Sequence, residues 1–259
     1  MTARTQILDT PEGISFYHQS DEEARWLYDE IFKERCYDTV RLPEKPLIID
    51  AGANIGLFTL FAKKNYPAAQ IMAFEPASEN VEIMKQNISL HKLSDVEIYE
   101  CALGSKNETR NLTFFPNTPS NATLCTDEKD QWLKFIADKI SPEIADRMGY
   151  GARETPVSVK RLSDFLHDRE NLTRVDLLKI DVEGGELDVI EGVDDKHLPL
   201  IQNIVMEVWD PNGQLEAAKK ALQSKGYTVE ASLVPWKMGR AETLKMYMVT
   251  ARRTSTEQS

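Results

Sequence analysis

From residue 47 onward, short apolar runs of strand length alternate with stretches of helical periodicity, and this alternation narrows the possible folds more than any other property of the chain. The strand-like runs are 47–51, 70–74 and 96–101, separated by a helix from Ile55 to about Lys64 and another carrying Val81, Met84 and Ile88. The pattern resumes with a strand at 175–180, a helix at 185–192, a strand at 204–208 and a helix carrying Leu215, Ala218 and Leu222. Strands joined by helical crossovers run parallel and are covered on both faces, so the expected class is α/β, a three-layer, mostly parallel sheet. Runs at 227–233 and 245–251 have no long helical stretch between them and are expected to pair as a hairpin, which adds an antiparallel last strand.

Two segments lie outside this alternation. Residues 1–45 form an N-terminal extension with a β-rich lead at 14–18 and a helix in which Ala24, Leu27 and Ile31 share a face behind the acidic turn Asp21-Glu22-Glu23. With Trp26 and Tyr28, this helix is expected to close a pocket or to pair two copies of the chain as a homodimer. Residues 116–154 interrupt the core, 46–253, as a mid-chain helical insertion. One of its helices carries Trp132, Phe135, Ile136 and Ile140; a second opens at Ser141-Pro142-Glu143, where serine caps and proline suits the first turn. A long insertion of this kind is a lid, a binding element or a packing ornament. The whole of 1–259 is read as one domain.

Composition excludes several classes of function. With 42 acidic against 31 basic residues the net charge is −11, which repels nucleic-acid backbones and anionic headgroups. Lys129, Lys134 and Lys139 each have acidic neighbours and read as a solvated helix face. Three scattered cysteines and four histidines share no ligand spacing, so neither a zinc site nor a disulfide framework is expected. No apolar signal core opens the sequence and no run has the length to span a bilayer. A reduced, cytoplasmic protein is the expectation.

The chemistry is carried by strand ends. Asp50-Ala51-Gly52-Ala53-Asn54-Ile55-Gly56 turns the first strand into its helix. The glycines admit a ligand close to the backbone, and the helix start offers free N–H groups. The spacing is not the G-x-G-x-x-G of dinucleotide sites, and an acid stands ahead of it, a poor choice for pyrophosphate and a good one for a cation. S-adenosylmethionine, with a sulfonium and no phosphate, suits such a turn. Glu75, in Phe74-Glu75-Pro76 at the end of the second strand, is placed to accept hydrogen bonds from ribose hydroxyls.

Together with Leu178-Lys179-Ile180-Asp181-Val182-Glu183-Gly184-Gly185-Glu186, these two turns resemble the FkbM family of S-adenosylmethionine-dependent methyltransferases, over residues 47–251. K-x-D-x-E-G-x-E is the specific element; the other two occur across class I methyltransferases. The resemblance implies a Rossmann-like class I sheet of seven strands with the last antiparallel, and O-methylation of a small molecule in secondary metabolism, at a hydroxyl or a carboxyl group. It also implies that Asp50, Gly52, Asn54 and Gly56, with Ala53 between them, hold the methionine part of the donor. Glu75 with Pro76 would hold the ribose, and Cys101 and Ala102 the adenine edge.

Asp181 is the first candidate for the base that takes a proton from an acceptor hydroxyl, and is also expected to face the sulfonium; Glu183 and Glu207 stand behind it. Glu186 and Asp210 lie at the same end of the sheet, and His167 is a weaker candidate. Bound as hydrogen-bond acceptors, these acids need no metal ion. A carboxylate acceptor is already ionised and needs a cationic clamp instead, for which Arg147, Arg153, Lys160 and Arg161 are the candidates. Three competing readings are weighed against methyl transfer to a small molecule. A nicotinamide-dependent oxidoreductase lacks its glycine motif here; for a non-catalytic module, the intact Asp50 and Glu75 argue against loss of the cofactor and leave S-adenosylmethionine binding without turnover as the alternative; and a nucleic-acid methylase has the wrong charge.

Overall fold

The five residues Leu47–Ala51 are all buried, as a strand covered on both faces must be. In the computed structural model, which describes residues 5–234 and 245–254, this strand is the middle of the principal sheet. The chain begins with a hairpin, β1 (Gln6–Asp9) and β2 (Ser15–His18), followed by α1 (Asp21–Tyr28), which continues as a π-helical turn through Asp29–Lys33. Next come β3 (Leu47–Ala51), α2 (Leu57–Asn65), β4 (Gln70–Phe74), α3 (Ser78–Leu90) and β5 (Val96–Tyr99). After β6 (Ala102–Leu103) and β7 (Glu108–Phe114), helices α4 (Thr126–Lys139) and α5 (Pro142–Gly149) lead to β8 (Arg153–Lys160) and α6 (Leu162–His167). The second half of the core supplies β9 (Leu177–Ile180), α7 (Glu186–Glu191), β10 (Asn203–Trp209), α8 (Gln214–Ser224), β11 (Tyr227–Leu233) and β12 (Met246–Arg253).

Seven strands pair in the order β11-β12-β10-β9-β3-β4-β5. β3, β4, β5, β9 and β10 pair in parallel, and β12 lies antiparallel between β10 and β11. This is the sheet expected from the alternation, with its antiparallel last strand. The strand order reverses between β3 and β9, and a crevice opens at their carboxyl ends, where open α/β sheets bind ligands. Apolar residues on the two faces of the sheet form separate cores, one under α6, α7 and α8 and the other under α1, α2 and α3.

One part of the chain departs from the sequence reading. The third strand stops at Tyr99, and β6, β8 and β7 form a small second sheet. β7 pairs antiparallel with β8, so that the helical insertion is held at its base by a two-stranded clamp. These strands carry weak signals because β8 is mostly exposed and contains Pro156, opposite Asn111; proline cannot donate to a ladder. The insertion helices form as expected, and Ser141 Oγ accepts from Ile144 N at 3.3 Å as the cap of α5. Among the described residues no helix is long and apolar enough to cross a membrane.

Candidate active site

The exits of β3 and β9 touch. The backbone of Gly52 has φ +76°, and a Cβ built there would lie 1.7 Å from the carbonyl oxygen of Asp181. Only glycine permits this approach. The turn is then fixed by backbone: Gly52 N and Ala53 N both donate to Phe74 O, at 3.0 and 2.9 Å. Asn54 follows with φ +49°, and its Oδ1 is buried with no hydrogen-bond partner among the described residues. Glu75, at the end of β4, is buried; its Oε2 accepts from Asn54 N at 2.9 Å, and its Oε1 accepts from Ala77 N at 2.9 Å and Asn80 Nδ2 at 3.3 Å. Burial outweighs these bonds and pushes its carboxyl up to about 7.

These groups line one end of a cavity of about 730 Å³. Gly52, Ala53, Asn54, Glu75, Pro76 and Ala102 are on its wall, as are Asp181, Glu183, Glu186 and Glu207. An orphaned buried acceptor on Asn54 beside a buried carboxylate on Glu75 leaves polar atoms that suit the amine and hydroxyl groups of an adenosyl amino acid.

Three expected donor contacts lie elsewhere. Asp50 is fully buried beneath the turn, where Lys179 Nζ stands 3.1 Å from its Oδ1 and Thr59 Oγ1 donates to its Oδ2 at 2.9 Å. Its charge is spent inside the protein and does not reach the cavity. Gly56, with φ +85°, makes room for Met84 of α3, a packing role. Cys101 is buried in the core under α6 and α7, and only its neighbour Ala102 reaches the wall.

Lys179 is the counterpart of Asp50. Burial opposes its charge, but Asp50 and Asp181 outweigh that and raise the ammonium above its ordinary range. It also donates to Gly52 O at 2.8 Å, tying the glycine turn to β9. Asp181 lies 3.6 Å from the same ammonium and accepts at Oδ2 from Tyr37 Oη at 2.7 Å. Glu183, at φ 58°, is bonded to Lys129 Nζ at 2.6 Å, while its carbonyl accepts from Thr123 Oγ1 at 2.6 Å. Lys129 is thus buried and anchors the insertion to the acidic turn. The reading of a solvated face failed there because Lys129 is spaced like its exposed neighbours and only the fold brings Glu183 to it.

Three further acids on the wall are held above the ordinary carboxylate range by burial. Burial, with Asp181 next, pushes Glu30 up to about 8. Burial, with Glu30 and Asp181 next, pushes Glu207 well above the carboxylate range, and burial raises Glu186 to about 7. Glu30 and Tyr37, both on the cavity wall, were not singled out from sequence. They lie in the N-terminal extension, where Glu30 falls three residues after Leu27 at helical spacing and Tyr37 follows the helix outside any periodic stretch.

The other end of the cavity is apolar. Trp132 packs edge-on against Trp209 at 5.2 Å; Ile136, Ile140, Ile144 and Met148 from the insertion face Trp26, Leu27 and Ile31 from the N-terminal segment. The two added segments meet across the opening. Glu23 Oε1 accepts from Ser120 N and Oγ at 2.9 and 2.6 Å, and Arg147 pairs with Glu22 at 3.0 Å. The N-terminal helix is thus tied to the insertion alongside the cavity. Of the expected cationic clamp only Arg147 reaches the wall. Arg153 pairs with Glu79 over the ring of Phe114, Arg161 pairs with Asp194, and Lys160 is exposed on β8. His167 is exposed on α6, and Asp210 Oδ1 accepts from Leu215 N at the start of α8.

Comparison with known proteins agrees with this geometry. Residues 50–235 match the model of the methyltransferase FkbM domain. A methyltransferase, sdnD, of Sordaria araneosa is 41% identical over 95% of this chain and 98% of its own length. The 31-O-demethyl-FK506 methyltransferase FkbM of Streptomyces tacrolimicus is 32% identical over 98% and 100%. A crystal structure of a methyltransferase FkbM from Methylobacillus flagellatus shares the fold with a TM-score of 0.53 at 12% identity, covering 86% of this chain and 47% of that one. The chain belongs to the FkbM family of methyltransferases, which take the methyl group from S-adenosylmethionine.

Proposed function

We propose that the protein is an O-methyltransferase that acts on a hydroxyl group of a small, largely apolar and uncharged molecule of secondary metabolism. The observation that carries this reading is the charge of the cavity. Every cation on its wall among the described residues is paired: Arg110 with Asp188, Lys129 with Glu183, Arg147 with Glu22 and Lys179 with Asp50. An acceptor carboxylate would find no free partner there and would face Asp181 and Glu183, whereas an alcohol finds acceptors and protonated donors. The aromatic and aliphatic wall supports an apolar body. The name of the Streptomyces relative, a demethyl-compound methyltransferase at a 31-O position, supports transfer to oxygen, and the net charge of −11 argues against nucleic acid. Cys36, Cys101 and Cys125 are free thiols, consistent with a reducing, cytoplasmic setting.

In this reading Asn54 and Glu75 hold the donor's polar groups against the Gly52 turn. When bound, S-adenosylmethionine supplies an electrophilic methyl group on a sulfonium. Asp181 stands where the two ends of the cavity meet and takes the acceptor's proton. Glu183 is engaged with Lys129, and Glu30 and Glu207, whose carboxyls burial pushes above their ordinary range, serve as hydrogen-bonding groups for the acceptor. The apolar wall aligns the hydroxyl for in-line attack, and alignment is the main contribution to rate in such a displacement.

Incubation with methyl-labelled S-adenosylmethionine and matched alcohol and carboxylic-acid pairs on apolar skeletons tests the acceptor class. Label is expected on alcohols alone; label on the acids alone overturns the reading. For the donor site, Glu75→Gln replaces one acceptor of backbone N–H groups by a donor, and is expected to weaken S-adenosylhomocysteine about 10-fold in calorimetry.

A further inference from the structure

We propose that Tyr37 is a positioning residue, whose hydroxyl holds Asp181 so that its carboxylate faces the donor's sulfonium instead of folding back onto Lys179. Tyr37 precedes the region matched by the family model, residues 50–235, yet it reaches Asp181 across 144 positions of sequence. Its ring is 5% exposed and packs edge-on against Phe58 at 5.4 Å, with the Lys179 ammonium 5.4 Å from the ring centre. A buried phenol needs an acceptor, and Asp181 Oδ2 supplies it at 2.7 Å. Among the described residues no other group donates to Asp181 at hydrogen-bonding distance; Lys179 stands back at 3.6 Å, closer to Asp50 and Gly52 O.

The ammonium and the phenol therefore compete for one carboxylate. With the hydroxyl present, Asp181 Oδ2 is held 3.6 Å from Lys179 and the side chain stays on the cavity wall. Without it, Oδ2 is free to close the remaining gap to Lys179, which weakens the field that a cationic ligand meets. The affected property is discrimination between the donor, which carries a sulfonium, and the demethylated product, which carries a neutral thioether. Both otherwise present the same groups to Asn54 and Glu75.

This rests on the reading that the donor's sulfonium lies before Asp181. Calorimetry on the full chain with S-adenosylmethionine and, separately, S-adenosylhomocysteine tests it. Tyr37→Phe keeps the ring contacts with Phe58 and Lys179. It is expected to weaken S-adenosylmethionine about 10-fold, the effect of one hydrogen bond to a charged group, and to leave S-adenosylhomocysteine within about 2-fold. Asp181→Asn should lose the same discrimination, and Tyr37→Phe added to it should change nothing further. Equal weakening of both ligands by Tyr37→Phe, or of neither, overturns the proposal, as does an additive double variant. Failure of the underlying reading looks different: the unaltered protein would bind neither ligand, or Asp181→Asn would leave their ratio unchanged.

Discussion

The two ends of the cavity are built by different means. At the donor end the backbone does the positioning: Gly52 N and Ala53 N on Phe74 O, Asn54 N and Ala77 N on Glu75, and the exits of β3 and β9 in contact. The acceptor end is built from side chains that three distant segments contribute, residues 20–37, 117–148 and 207–209, held by side-chain contacts such as Glu23 with Ser120 and Lys129 with Glu183. A backbone-built site tolerates little change because its atoms are shared with the sheet. A site built from side chains on added segments is free to vary in shape without disturbing the sheet, which suits the part of an enzyme that chooses its acceptor.

Substitutions break or sharpen that contrast, and the largest effect belongs to the donor end. Gly52→Ala forces a Cβ into the Asp181 carbonyl at a positive φ. It is expected to cost about 3 kcal/mol of stability and to abolish S-adenosylhomocysteine binding, read by thermal melting and calorimetry.

An intermediate effect, shared by acids of both ends, comes with pH. Burial holds Glu23, Glu30, Glu75 and Glu186 protonated up to about 7, 8, 7 and 7, from an ordinary value of 4.5. The unfolded chain releases these protons first, so their stabilisation is complete below pH 4.5 and is lost as the pH rises through their folded values. The melting temperature is expected to fall between about pH 5 and about pH 8. Glu30→Gln should flatten that fall, raising the melting temperature at about pH 8 by about 3 °C with little change at about pH 5. An equally steep fall in the variant would remove Glu30 from the account.

The smallest effect is at the base of the insertion. Arg153→Ala removes a half-exposed pair with Glu79 and should change stability by less than about 1 kcal/mol, with the KM of an alcohol acceptor unchanged. A rise in that KM would return Arg153 to the acceptor site.

The sequence motifs reported positions better than roles. Asp50, Gly52 and Gly56 were found together because one turn demands them, yet only Gly52 reaches the cavity; Asp50 is turned inward by Lys179, and Gly56 makes room for Met84. Of four cations offered for the acceptor, Arg147 alone came to the wall, since Arg153 and Arg161 find carboxylates nearer at hand. Lys129 and Tyr37 went unrecognised as site residues because their partners, Glu183 and Asp181, are 54 and 144 positions away.

Hydrophobic periodicity, glycine and proline are local properties, and from them alone came the parallel sheet, its antiparallel last strand, the insertion helices and the turn that receives the donor. The family itself was legible in three short motifs for the same reason, since each is a strand and the turn that ends it. Tertiary structure decided which acids are buried away from water, which lysine is buried, and that the N-terminal helix is tied to the insertion beside the cavity. Those outcomes depend on burial and on distances between residues far apart in the chain, and a carboxylate reads the same in sequence whether it meets water, an ammonium or another carboxylate.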